Sequence, residues 1–235
     1  MAQRVVLIPG IGEVTLVKRR GSSHLRLSVT ANGQVRVGMP SWTPYVAGIA
    51  FAKSRQDWIT AQLNKHPQIV LSEGNLIGKA HRLHFNGVKQ PLPKVKTKMS
   101  PTSIEITTHL AYDSAMVQEK AQAASERALK TETVNLLVPR LASLATQHNL
   151  TYKDVKVRKL TSRWGSCSSD KTITLSYYLI QLPWPLIDYV LLHELTHTVH
   201  LHHGADFWNE LERLLPSAKK ISKEIKHHKP RIEPA

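Results

Sequence analysis

A single cysteine, Cys167, stands in a chain of 235 residues. That excludes an intrachain disulfide, a secreted disulfide scaffold and a zinc site built on several thiolates. Acidic residues are scarce, 17 Asp and Glu against 32 Lys and Arg, for a formal charge of +15. No apolar run reaches the ~18 residues of a membrane span. The opening MAQRVVLIPGIGEV holds no long apolar stretch with a small-residue cleavage site. These absences lead us to expect a soluble, basic, cytoplasmic protein of one or two domains.

What is present is unevenly spread. Residues 1–100 carry 15 Lys and Arg against 3 Asp and Glu, whereas residues 101–235 carry 17 against 14. A basic half next to a nearly balanced one suggests an anionic partner for the first, and nucleic acid is the partner to test. Histidine is skewed the other way, with five of the 13 between His193 and His203.

Alternating stretches at 14–20, 24–30 and 34–40 read as strands, with Asn32-Gly33 as a hairpin signal. A helix is expected from Ser41–Pro44 to about Lys65, and further short strands between Pro67 and Thr108. From about Asp113 to His148 the composition favours helix, with Pro139 as a break. Residues 155–160 and 172–180 read as strands around a polar Trp-Gly-Ser-Cys-Ser turn. A helix then runs from about Leu186 to Leu201, ended near Gly204, followed by one from Ala205 and a last one capped by Ser217. No internal repeat is legible. We therefore expect a β-rich N-terminal module with one helix over 1–110 and a second domain over 111–235.

The helix before Gly204 contains His193-Glu194-Leu195-Thr196-His197. A spacing of four puts both imidazoles on one helical face, one turn apart, where they can share a Zn²⁺. Glu194 sits beside the first ligand, placed to take a proton from a zinc-activated water. A catalytic zinc needs a third protein ligand. His203, next to Gly204, is the foremost candidate, and His200, His202, Glu210 and Glu224 remain alternatives. The spacing to His203 is also that of metzincins, but His200 occupies their glycine position and no methionine follows the motif, Met116 being the last.

Arg163-Trp164-Gly165-Ser166-Cys167-Ser168, Ile173-Thr174-Leu175, Ile187-Asp188-Tyr189-Val190, the His193–His197 motif, His203 and Phe207-Trp208 follow one another within 46 positions. This series resembles the YgjP-like metallopeptidases, zincins related to the SprT-like proteases. VKRRGSSHLRLSV, VRVGMP and SRQDWI extend the resemblance into the N-terminal half. It implies an α+β chain: the β-rich module, then a zincin-like helical domain with a small antiparallel sheet. It further implies His193, His197 and His203 as zinc ligands, Glu194 as the catalytic glutamate, and a peptide or protein substrate. The family's usual Asn-His-Ser stretch is His202-His203-Gly204 here, and Ser176 replaces a common asparagine.

The neighbours suggest smaller roles. Cys167 is expected to be structural and partly buried. Trp164, Phe207 and Trp208 are expected to be core aromatics bracing the zinc helix. Asp188 either orients a ligand imidazole or serves the helix N-terminus. Arg163 and Lys159 lie near enough in sequence to stabilise an oxyanion. The strand over 172–180, if it is a sheet edge, can pair with an extended substrate. Two other readings compete with the hydrolase. One is a nucleic-acid-associated protein recruited through the basic half, and the other a metal-binding interaction protein without catalysis.

Overall fold

Every second side chain turns inward along the N-terminal strands, as a half-buried sheet requires. In β2 (Gly12–Arg19) and β4 (Val35–Pro40) these are Val14, Leu16, Val35, Val37 and Met39, all buried. With β1 (Gln3–Ile8) and β3 (Arg26–Val29) they form a four-stranded sheet in the order β1-β2-β4-β3. The β2–β4 pair is parallel and the outer pairs are antiparallel. The computed structural model describes residues 3–29, 33–65 and 69–234. Thr30, Asn32 of the expected turn, and Pro67 lie outside them.

The single helix expected over 45–65 is two: α1 (Tyr45–Ser54) and α2 (Gln56–Lys65). The break has a local cause. The Ser54 hydroxyl donates to the Phe51 carbonyl at 2.9 Å, competing with the helical ladder, and Arg55 leaves helical geometry. Ala52 and Ile59 close the core over the sheet, and a β-carbon on Gly48 would press Met39 and Leu16. These residues make one compact unit, Met1–Ile69.

The second unit, Val70–Ala235, begins with another four-stranded sheet, in the order β5-β6-β8-β7. Its strands are β5 (Leu76–Ile77), β6 (His81–Gly87), β7 (Lys96–Met99) and β8 (Ser103–Thr108). Again the central pair is parallel and the outer pairs antiparallel. The two sheets thus share one topology, a repeat the sequence does not show because it lies in strand order.

This sheet is packed by α3 (Ala115–Glu132), whose Val117, Ala121, Ala124 and Ala128 are buried beside Ile104 and Ile106. The compact units therefore divide at 69/70, whereas composition placed the boundary at 110/111. Strand-rich composition groups the two sheets, but the second one needs α3 to cover its apolar face. Glu132 adds a polar tie. Its buried carboxylate accepts from the backbone N–H groups of Lys79, Ala80 and His81 and pairs with the His81 ring.

A π-helical turn, Thr133–Leu137, joins α3 to α4 (Val138–Gln147). Pro139, which has no N–H to donate to the ladder, lies in the first turn of α4. Next come β9 (Asp154–Arg158), β10 (Gly165–Cys167) and β11 (Thr172–Ser176), in the order β10-β11-β9. The β10–β11 pair is antiparallel but β11–β9 is parallel, so this small sheet is mixed rather than antiparallel throughout. The strand expected over 172–180 ends at Ser176, whose hydroxyl accepts from the Tyr178 N–H and turns the chain into a 3₁₀ helix, Tyr177–Gln181.

Three helices complete the unit: α5 (Trp184–Thr196), α6 (Ala205–Leu214) and α7 (Ala218–Glu224). Leu186, Ile187, Val190, Leu191, Leu192 and Leu195 are all buried, so α5 is apolar on most of its circumference. Fully burying side chains of this size stabilises by about 1.5–3 kcal/mol each, which holds α5 as a rigid support. Ser217 precedes α7 as expected, but its side chain makes no capping bond and its backbone is left-handed. Among the described residues no helix is long and apolar enough to cross a membrane.

Candidate metal centre

Helix α5 ends earlier than expected, and the early end builds the site. The Thr196 hydroxyl donates to the Leu192 carbonyl and that of Thr198 to Leu195, each at 2.7 Å. The chain then leaves the helix, and a loop over 200–204 leads to α6. The His197 ring fixes this loop, its Nδ1 lying 3.0 Å from the His200 carbonyl oxygen. A carbonyl only accepts, so Nδ1 carries the proton and Nε2 presents its lone pair.

The loop carries His203 back to α5. Nε2 of His197 lies 3.2 Å from that of His193 and 3.1 Å from that of His203, and the latter two are 3.0 Å apart. Among the described residues, these three form the group of metal-ligating side chains that closes on one point. His200 offers its carbonyl rather than its ring, and Glu210 is paired with Arg213. Neither His202 nor Glu224 joins the group.

The donor set fits a zinc ion. Nitrogen ligands ~2.1 Å from a tetrahedral zinc are about 3.4 Å apart, close to the spacing here. Burial pushes the His193 imidazole down to about 3, and the other two rings push in the same direction. Burial lowers His197 too. Neutral imidazoles with converging lone pairs are what a divalent cation binds.

Beneath them lies Phe207 of α6, fully buried, its ring centroid 4.9, 4.6 and 4.8 Å from those of His193, His197 and His203. The expectation of a bracing aromatic undersells it, since one ring supports all three imidazoles. Spacing alone does not show this, because the contact needs α6 to turn back on α5. Trp208 packs on Phe207, while Tyr189 brings its hydroxyl to 3.5 Å from Nδ1 of His193.

Glu194 is 5% exposed, and among the described residues its Oε2 has no hydrogen-bond partner. Burial pushes its carboxyl up to about 8, against the pull of Arg163. The backbone of β10 runs against it. A β-carbon on Gly165 would stand 2.7 Å from Oε1 and 2.8 Å from Cγ of Glu194. The motif Arg163–Ser168 therefore matters through an absent side chain, which the residue letters did not reveal.

The other expected roles divide. Cys167 is partly buried, and burial raises its thiol to about 11, consistent with a structural residue. Asp188 forms a two-pronged ion pair with Arg140 instead of orienting an imidazole. Lys159 is paired with Glu126. Arg163 is exposed at the start of the β10 segment. The strand at 172–176 lies in the middle of its sheet, with β10 at the edge.

The sequence pattern of the family described as YgjP-like, metallopeptidase domain, matches residues 23–228, and the chain belongs to that family. It is thus a member of a family of metal-dependent peptidases. Among solved structures it is similar to the metallopeptidase zymogen abylysin of Pyrococcus abyssi, with 28% identity over 37% of this chain and 89% of that one, at a TM-score of 0.34. It is also similar to the zymogen jannalysin of Methanocaldococcus jannaschii, with 23% identity over 37% and 90% of the two chains, again at 0.34. No curated protein matches the chain.

Proposed function

We propose that the protein is a zinc-dependent peptidase in which His193, His197 and His203 hold the metal through Nε2 and Glu194 is the general base. The observation that carries this reading is the meeting of three Nε2 atoms within 3.0–3.2 Å, at the end of the helix that carries a buried glutamate whose Oε2 has no partner among the described residues. Zinc supplies Lewis acidity, polarising a carbonyl and acidifying water.

The remaining steps belong to the chain itself. Glu194 takes a proton from the attacking water and passes it to the leaving nitrogen, so one carboxylate serves as base and then acid. Gly165 leaves room for that carboxylate, and the buried surroundings hold it in place. Phe207 keeps the three rings in register, and the His200 carbonyl fixes the His197 tautomer. Strand β10, outermost in its sheet and pressed on Glu194, offers its free edge to an extended substrate.

The test is metal content together with hydrolysis of a peptide library by the zinc-loaded protein. One zinc per chain, with cleavage lost in Glu194→Gln while the zinc stays, supports the reading. A protein purified without zinc affinity, or an undiminished Glu194→Gln, overturns it.

A further inference from the structure

Away from the three histidines, α3 and β7 enclose a groove of about 470 Å³ lined by Thr97, Lys120, Ala123, Glu126, Arg127, Lys130 and Tyr177. The helical positions 120, 123, 127 and 130 share one face of α3, and the small Ala123 leaves the space between the longer side chains. Lys120, Arg127 and Lys130 are exposed, and among the described residues none of them forms an ion pair. Arg127 is oriented by a 3.2 Å hydrogen bond from its guanidinium to the Thr97 hydroxyl. The one carboxylate in the groove, Glu126, is already engaged by Lys159 and by the Tyr178 hydroxyl at 2.8 Å. It is therefore not free to neutralise the others. Among the described residues, the groove thus presents three cations without an ion pair.

We propose that this groove is an exosite that holds an acidic segment of the polypeptide substrate. Lys120 and Lys130 are roughly 15 Å apart along the helix, with Arg127 between them, the length of about five extended residues. Arg127 offers a planar fork suited to a carboxylate. Single-stranded nucleic acid is the competing polyanion, but it binds largely by stacking bases on exposed rings. The aromatic residue in the groove, Tyr177, is 6% exposed and offers no such face. Lys159, which touches Glu126 in the groove, is four peptide links from Arg163, which can extend at most ~14 Å. The groove and the start of the β10 segment are thus joined by one short stretch of chain.

This inference rests on the peptidase reading, and the experiment separates the two. The full-length, zinc-loaded Glu194→Gln protein is titrated with two labelled peptides that share one core sequence, one extended by five glutamates and the other by five glutamines. The acidic peptide is expected to bind about tenfold tighter, from a few exposed charge pairs acting together. That preference is expected to disappear in the added presence of K120E/R127E/K130E and to survive K223E on α7. With an active Glu194, the triple reversal raises KM for the acidic peptide about tenfold and leaves kcat and the glutamine peptide unchanged. The milder pair K120Q/K130Q gives the same trend should the triple variant fold poorly.

Equal binding of the two peptides, or a preference untouched by these substitutions, overturns the exosite. So does a single-stranded oligonucleotide that displaces the acidic peptide, binds more tightly and is lost with K120E/R127E/K130E, since the groove is then a nucleic-acid site. Preferential binding without cleavage of any peptide overturns the peptidase reading and leaves the acidic-peptide site standing.

Discussion

Gly165 of β10 and Glu194 of α5 touch so closely that a β-carbon on the glycine would lie 2.7 Å from Oε1. The backbone of Gly165 is not left-handed, so the glycine is required by space rather than by conformation. Glu194 is buried and cannot swing away cheaply. Gly165→Ala should therefore displace the carboxylate, lowering kcat/KM at least ~100-fold and stability by about 1–3 kcal/mol, the range for overpacking. Zinc content should stay at the wild-type level. Normal turnover in a folded Gly165→Ala protein would contradict the assigned position of the base.

The three histidines make a sharper distinction than activity does. His203→Ala should lose zinc on dialysis, whereas His202→Ala and His200→Ala should retain it, because only the ring of His203 reaches His193 and His197. Metal analysis of the three proteins side by side decides this. Retention by His203→Ala and loss by either neighbour would reassign the third ligand.

Glu132 is a structural test outside the site. Its removal in Glu132→Ala strands three backbone donors and the buried His81 ring. Leaving buried donors without their acceptor costs about 1–3 kcal/mol. Urea denaturation should show a loss of that size. A loss below about 1 kcal/mol would mean that water or a shifted loop replaces the carboxylate.

Glu126 supplies a pH dependence. Burial acts to raise its carboxyl, but hydrogen bonds from Lys159 and Tyr178 outweigh it and hold the group below its ordinary value. A carboxyl depressed in the folded state contributes stability above the unfolded value of ~4.3 and loses it as pH falls through the folded value. Lys159→Met should thus cost on the order of 1 kcal/mol at pH 7, discounted for the exposure of the lysine, and progressively less toward acid. Denaturation curves from pH 7 to pH 3 measure the convergence of the two proteins. A difference that grows toward acid would reverse the sign.

The sequence by itself carried the site's chemistry a long way. His193 on α5 and His197, which caps it, are four apart, so helical periodicity alone puts them together, and Glu194 travels with them. The strands at 12–19 and 35–40 were legible from alternation, since a half-buried sheet demands a period of two. Helix α5 was legible too, but not its end, because the Thr196 and Thr198 side chains choose between helix and turn according to their surroundings.

Tertiary structure decided the rest. Which of several histidines returns to the centre depends on how the loop over 200–204 crosses α5. That β10, not β11, is the sheet edge depends on pairings between strands distant in sequence. The contact of Gly165 with Glu194, and of Phe207 with all three imidazoles, leaves no periodic trace in the chain. The opening scarcities were informative in the same unequal way. One cysteine excluded a cysteine-rich zinc site while leaving a histidine site intact, and few acids announced a basic surface. Only the folded chain shows that three of those basic groups line one groove on α3 and, among the described residues, form no ion pair. Local spacing records what one element does to its own side chains, whereas packing between elements is fixed by contacts that no short window of sequence contains.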